Sequence, residues 1–474
     1  MRPKCAAGLS LRRCREAVVG QLRDGCAGSV RFCAAVWLFF FPTLALSADE
    51  TEIAGDEPAA QSAPSVLDGT YAAPQIQPPA PGWNGDFWTR LQVSGDWAGS
   101  RDDLAAHGLT FFGDITQYYQ GVTTGGLARQ FEYGGRGDYL IDFDSEKMGL
   151  WEGGHLDLRG ETRLGHDCNG IDGAFAPSNF AMALPRPGQN VTALTGVQYT
   201  QELSDKLSVY LGKLNLLDGT PASYARGMRL NYFWNAAMQS NLSRSYLFPS
   251  TLGAGFTVRD EFEPVFNFYL LDSHYTPTTS GFENLFSNGV VTYGEYRLRT
   301  NWFDLPGHSA VGFLYSTATR TALDVNPYVL IAAILAGEPV PSKDSAWTAT
   351  YRFDQVLYAD PEDPKRNWTL NGDYGLTDGN PNPVRWFANL SLVGTSPIRR
   401  RENDTVGIGY YHLGASNLQV LTSRGIGDEN GVELFYNVAV TPWFHVTPDL
   451  QVLDPAQSHT ATALLIGIRG RISF

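Results

Sequence analysis

The 474-residue chain is 43% hydrophobic and 12% aromatic, carries 50 glycines, and has a formal charge of −14. That negative balance argues against nucleic acid as a partner, because a phosphate backbone is bound by basic surfaces. No stretch of about 18 uninterrupted apolar residues occurs, which excludes a membrane-spanning helix.

The N-terminal 48 residues hold seven basic residues (Arg2, Lys4, Arg12, Arg13, Arg15, Arg23, Arg31) against two acidic ones (Glu16, Asp24). A mostly apolar run over 34–46 follows, then the small residues of Leu46-Ser47-Ala48. This is the order of a secretory signal peptide, and we expect 1–48 to be removed on export. No cysteine follows in lipid-attachment position. Cleavage would leave Cys168 as the only one of five cysteines, so the fold must hold without an internal disulfide. It would also take the formal charge from −14 to −19. Residues 49–94 follow, and up to Gly85 they mix acids with Ala and Pro, as in Glu57-Pro58-Ala59-Ala60 and Pro78-Pro79-Ala80-Pro81, with no apolar periodicity. Such a segment cannot bury enough surface to offset its ordering entropy, so a disordered periplasmic linker is expected there.

From Leu109 onward apolar and polar residues alternate with period two, the mark of strands whose faces meet different media. Leu109, Phe111, Ile115 and Tyr119 oppose Thr110, Asp114, Thr116, Tyr118 and Gln120; Tyr139, Ile141 and Phe143 oppose Asp138, Asp142 and Asp144. Strand starts are expected near 109, 137, 154, 193, 206, 253, 264, 290, 308, 345, 367, 384, 403, 431, 443 and 461. Gaps after the first, third, fifth and seventh strands read as long, notably 164–192 and 215–252, whereas Ser204-Asp205 and Thr441-Pro442 read as tight turns. The gap at 355–367 is long where a tight turn belongs. In the last strand Leu464, Ile466, Ile468, Ile472 and Phe474 share one face and Arg469, Arg471 and Ser473 the other. A final strand ending in Phe is typical of bacterial outer-membrane barrels. The expected fold is therefore all-β: a transmembrane antiparallel β-barrel of about 16 strands over 95–474, with long external loops folding into the lumen. A propeller would need a repeat of roughly 40–50 residues, and none is seen.

Several segments resemble the carbohydrate-selective porin family of the OprB type. They are Gly95-Asp96-Trp97-Ala98-Gly99-Ser100-Arg101-Asp102-Asp103-Leu104 with His107-Gly108-Leu109-Thr110-Phe111, Gly212-Lys213, and Thr405-Val406-Gly407-Ile408-Gly409-Tyr410. The most specific is Glu433-Leu434-Phe435-Tyr436 with Thr441-Pro442-Trp443 and Thr447-Pro448-Asp449-Leu450-Gln451. The resemblance spans 95–474 and implies a sixteen-stranded outer-membrane channel for the diffusion of carbohydrates, glucose being the usual substrate. Carbohydrates, outer-membrane lipid and lipopolysaccharide are the implied partners, and a homotrimer is one option for assembly. Ala98 departs from the pattern where a second Gly is common, and Arg399-Arg400-Arg401-Glu402 departs where a single Arg-Pro is usual.

Charge that faces inward marks the pore. His155, Asp157, Arg159, Glu161 and Arg163 share one strand face, and such a row cannot sit in lipid, where one Arg costs about 2–4 kcal/mol near the midplane. Asp157, Arg159, Glu161 and Arg163 are thus candidates for one side of the constriction or for a salt-bridged brace of the wall. The loop after the fifth strand adds Arg226, Arg229 and Trp234, since guanidinium donors with aromatic faces suit a sugar. Asp114, Glu295, Arg297 and Arg299 are further lumen candidates. Lys213 falls on the apolar parity of Leu207, Val209 and Leu211, which a bulge or a rim position would resolve. His155 and His166 lack metal-ligand spacing, so no metal or cofactor is expected, and no carboxylate pair stands out as acid and base. A barrel hydrolase and a non-conducting adhesive or structural barrel are the alternatives.

Overall fold

The structure, a computed structural model, describes residues 82–185, 190–216, 232–260 and 263–474. Sixteen antiparallel strands close on themselves, because β1 (Leu109–Gly126) pairs with both β2 (Phe131–Asp144) and the last strand, β18 (Ala461–Ser473). Between them the wall runs through β3 (Gly154–Gly165), β4 (Val191–Ser204), β5 (Leu207–Asn215), β6 (Ser250–Asp260), β7 (Glu263–Asp272), β8 (Val290–Trp302) and β9 (Leu305–Ser316). It continues with β12 (Ala346–Ala359), β13 (Asn367–Thr377), β14 (Val384–Thr395), β15 (Thr405–Ala415), β16 (Glu429–Thr441) and β17 (Phe444–Asp454). The short strands β10 (Arg320–Thr321) and β11 (Ser342–Lys343) form a separate ribbon within the β9–β12 connection. Every expected strand is present.

The period-two pattern sets the two faces. In β1, Thr116, Tyr118 and Gln120 are buried inward while Ile115 and Tyr119 are exposed outward. In β18, Arg469 is buried and its outward neighbours Ile466 and Ile468 are exposed. Closure removes every free strand edge, which is what lets a sheet sit in hydrocarbon.

Connections alternate in length around the barrel. The turns at 205–206, 303–304 and 442–443 lie on one rim, whereas 166–190, 216–249, 273–289 and 317–345 leave the other. Two expected lengths are corrected. The first connection is only 127–130, since β1 runs on to Gly126 through register shifts at Val122/Thr124 and Thr124/Gly126, which break the alternation. Likewise β12 reaches Ala359 through a shift at Val356/Tyr358, shortening the gap at 355–367 to 360–366.

The N-terminal approach is docked on the short-connection rim. Arg101, in helix α1 (Ser100–Ala106), lies 4.2 Å from the Trp83 ring and 5.1 Å from the Trp97 ring. Its guanidinium donates to the carbonyls of Phe111 (2.5 Å) and Phe474 (3.2 Å). Among the described residues, contacts with the barrel begin at Trp83, which packs against Phe112, and the Val93 amide donates to Ser473 at 2.9 Å. Ala98 takes φ +59°, the left-handed region that favours glycine, which gives a physical reason for the Gly common at that position.

Lys213 is also resolved. It sits in regular register opposite Val197, so there is no bulge at that position. The preceding Gly212 adopts φ +133° and turns the chain so that Lys213 is buried, its ammonium donating to the carbonyls of Leu194, Pro277 and Thr279 at 2.7, 3.1 and 2.9 Å. A Cβ at 212 would fall 2.2 Å from the Val197 carbonyl oxygen.

Candidate functional site: a polar lumen crossed by two loops

The inward faces of β2 and β3 meet in register as Arg136 opposite Arg163, Asp138 opposite Glu161 and Asp142 opposite Asp157. Arg136 lies 2.8 Å from Asp138 and 2.7 Å from Glu161, and Arg159 lies 3.1 and 3.2 Å from the same two carboxylates. Two arginines and two acids thus form a closed square of charge on the wall. Burial lowers the local dielectric, so each charge persists only because the others neutralise it.

The square also holds a loop. Arg136 Nη1 donates to the carbonyls of Ala181 and Leu184, both at 2.9 Å, and Arg163 Nη1 donates to Met182 at 2.6 Å. These acceptors surround α2 (Phe180–Ala183), a short turn capped by the Asn179 side chain. The connection after β3 is therefore inside the barrel. On its far side, the Glu429 carboxylate of β16 accepts the amides of Phe175 and Ala176, the latter at 3.0 Å.

A second inserted segment, 232–249, lies against the first. The Phe180 amide donates to Trp234 at 2.7 Å and the Ala236 amide to Pro177 at 2.8 Å. Glu433 of β16 accepts the amides of Trp234 and Asn235 just before α3 (Ala236–Gln239). Asn241 donates to Asp373 of β13 at 2.7 Å, Asn389 of β14 to the Ala237 carbonyl at 2.7 Å, and Arg469 of β18 to Tyr232 at 3.0 Å. On the β5–β9 side the wall is apolar instead: Tyr246 and Leu247 pack with Tyr210, Leu214, Tyr269 and Tyr293. Polar anchors on one side and an apolar seat on the other fix the segment across the lumen.

The sequence candidates divide accordingly. Asp157, Arg159, Glu161 and Arg163 do share one inward face, and all four are buried. Arg159 and Glu161 belong to the charge square, Arg163 to the loop clamp, and the Asp157 oxygens accept no hydrogen bond among the described residues. Trp234 is buried, edge-on to Tyr118 at 5.4 Å and 5.4 Å from the Arg469 guanidinium, a wedge between loop and wall. Gly467 makes room for it, since a Cβ there would meet its ring at 2.6 Å. Arg226 and Arg229 lie outside the described residues.

Glu295 and Arg297 face inward on β8 within a second ladder. Glu295 pairs with Arg352 of β12, and Asp354 of β12 lies 3.7 Å from Arg297 and 2.8 Å from His308. Arg299 is displaced from these: it is exposed near the short-connection rim, 2.5 Å from Glu263. Asp114 sits at the β1–β18 closure, 2.9 Å from Arg471 and 2.7 Å from the Ser473 hydroxyl.

Sequence reading missed Arg136, Glu429 and Asp373. Arg136 shares the parity of Asp138 and Asp142, but the strand was expected to begin one residue later. Glu429 and Asp373 carry no local signal, because their partners lie on loops far away in the chain. Among the described residues no group of three or more acidic, His or Cys side chains is arranged to hold a metal ion.

A sequence profile of the family described as carbohydrate-selective porin, OprB family, matches residues 128–474. No curated protein matches the chain by sequence. Among solved structures, Pseudomonas putida OprB at high pH is similar with a TM-score of 0.67 and 20% identity, over 81% of this chain and 98% of that one. Its low-pH form aligns over 81% and 98% at a TM-score of 0.48 and 19% identity. Salmonella typhi OmpF in complex with daunomycin aligns over 78% and 99% at 0.45 and 11%. The first likeness supports the barrel architecture.

Proposed function

This chain belongs to the OprB family of carbohydrate-selective porins, and on that premise we propose which of its residues a sugar meets. It is a channel of the bacterial outer membrane, a closed sixteen-stranded barrel through which carbohydrates diffuse. Family and fold point to transport rather than to catalysis.

The observation that carries the proposal is a set of arginines backed by acids. Arg159, Arg163, Arg259, Arg297, Arg352 and Arg471 lie on inward faces, each within 4 Å of a carboxylate, and each keeps 9–11% of its side chain exposed. The acids fix the guanidinium planes, so the exposed edges remain available to hydroxyl oxygens without collapsing together. A neutral sugar of glucose size would pass along these edges, exchanging hydrogen bonds with water for weak ones with arginine. Weak contacts suit diffusion, since a tight site would hold its cargo. Arg226 and Arg229, which lie outside the described residues, are retained in this proposed filter on the chemistry of their guanidinium donors alone. Glu161 and Asp138 stand behind Arg159 and set its position.

Single-channel current in planar bilayers tests this reading. Glucose should reduce the current in a concentration-dependent way, more than an amino acid of similar size. A current insensitive to glucose, maltose and every other neutral sugar would overturn it.

A further inference from the structure

An unassigned cleft of about 520 Å³ lies on the outer wall, lined by Trp347, Tyr374, Leu376, Thr377, Arg385 and Trp386. These residues come from the ends of β12, β13 and β14 at the long-connection rim. Trp347, Tyr374 and Leu376 are exposed on the lipid-facing side. Trp347 stacks with Phe313 (centroids 6.5 Å apart) and Trp386 with His412 (4.4 Å), so the rings are braced as a wall. Gly414 permits this, because a Cβ there would meet the Trp386 ring nitrogen at 2.1 Å.

Arg385 turns a greasy slot into a specific one. The β14–β15 register shifts between Val384 and Trp386, leaving Arg385 as the extra residue of a bulge. A bulge re-aims one side chain. Without it, Arg385 would share the inward parity of Phe387 and Asn389, both of which are buried. Instead it is exposed beside Trp386 and makes no hydrogen bond or ion pair among the described residues. The other charged lumen and rim arginines described above all have partners. Asp378, which follows Thr377, accepts the Trp347 amide at 3.0 Å and forms no ion pair with Arg385 among the described residues. An unpaired guanidinium above an aromatic cleft that opens on lipid fits a molecule with an anionic head and acyl chains.

We propose that this cleft docks one phosphorylated glycolipid of the outer leaflet, the lipid A part of lipopolysaccharide, with a phosphate on Arg385 and an acyl chain between Trp347, Tyr374 and Trp386. The proposal rests on the outer-membrane reading, because the long-connection rim faces the leaflet in which that glycolipid resides. It is independent of how sugars cross the lumen.

The test uses the whole barrel, delipidated in detergent and titrated with purified lipid A, with bound copies counted by native mass spectrometry. The parent should retain one lipid A that survives dilution. Arg385→Gln should weaken that binding about tenfold, as expected for one charge-assisted hydrogen bond. Trp386→Ala should weaken it comparably, and Arg399→Gln, on the opposite rim, should not. Dephosphorylated lipid A and phosphatidylglycerol should each bind the parent more weakly than lipid A. Equal binding by parent, Arg385→Gln and Trp386→Ala overturns the proposal, as does equal binding of the dephosphorylated lipid or displacement of lipid A by glucose. Conductance and glucose block, measured on the same Arg385→Gln protein, should match the parent, which separates this result from any failure of the sugar filter.

Discussion

Arg136 and Glu161 are 2.7 Å apart on adjacent strands, and the same guanidinium holds the carbonyls of Ala181 and Leu184. One side chain therefore joins the wall to the loop that crosses it. Removing either partner leaves the square of two arginines and two acids with one unbalanced buried charge, and breaking a buried pair typically costs about 3–5 kcal/mol. Arg136→Ala should lower the urea midpoint of unfolding and raise single-channel conductance together, because wall and loop come apart at one point. A loss of stability with unchanged conductance would assign Arg136 to the wall alone.

Replacing Arg159, Arg163, Arg226 and Arg229 by Ala should shift ion preference toward cations, since positive edges leave while Asp157 and Glu161 remain. Glucose block should weaken by about 1–2 kcal/mol per arginine lost, the low end for a hydrogen bond to a charged group, as a weak transport site requires. Reversal potentials in a salt gradient and blocking titrations read both effects. Arg399→Ala and Arg400→Ala, on the short-connection rim, serve as controls that should change neither.

Glu433 accepts two successive amides, those of Trp234 and Asn235. Glu433→Leu removes both acceptors and should cost about 1–3 kcal/mol per orphaned buried donor. Protease cleavage within 232–249 should become measurable in the folded, detergent-solubilised barrel. Resistance equal to the parent would show that the remaining anchors suffice.

Gly467 and Trp234 are a shape pair. Gly467→Val places new atoms where the indole lies and should destabilise by about 1–3 kcal/mol. Combining it with Trp234→Ala should recover part of that loss, a non-additivity that a double-mutant cycle reads directly. Strict additivity would mean that the two do not touch.

Burial pushes the Asp172 carboxyl, in the first inserted loop, up to about 7. An acid whose folded pKa exceeds its unfolded one stabilises the fold while protonated: the contribution is complete below about pH 4 and is lost as pH rises through about 7. Current fluctuations from loop motion should therefore grow as pH rises from about 4 to about 7, the interval between the unfolded and folded pKa values. Asp172→Asn should flatten the profile. An unchanged profile in that variant would place the titration elsewhere.

The strands and their faces were legible in the sequence because they depend on period two, a local property. Ile466 and Ile468 against Arg469 already state which side meets lipid and which meets water, and all sixteen wall strands follow the same logic. The resemblance carried by segments such as Glu433-Leu434-Phe435-Tyr436 pointed to the family. Bulges obscured the ends: β1 and β12 each run past the point where alternation fails, so two connections read as longer than they are.

What only the tertiary structure decided is which inward residue holds which loop. Trp234 and Glu433 are 199 positions apart, and nothing near either one in sequence names the other. Arg163 reads as part of the constriction or as a wall brace, and only the fold shows that it also clamps the Met182 carbonyl; Trp234 reads as a sugar platform until Tyr118 and Gly467 enclose it. The bulge between Val384 and Trp386 turns Arg385 outward, away from the inward face of Phe387. Periodicity is written locally in a chain, whereas loop docking and bulge placement are settled by partners that meet only when the barrel closes.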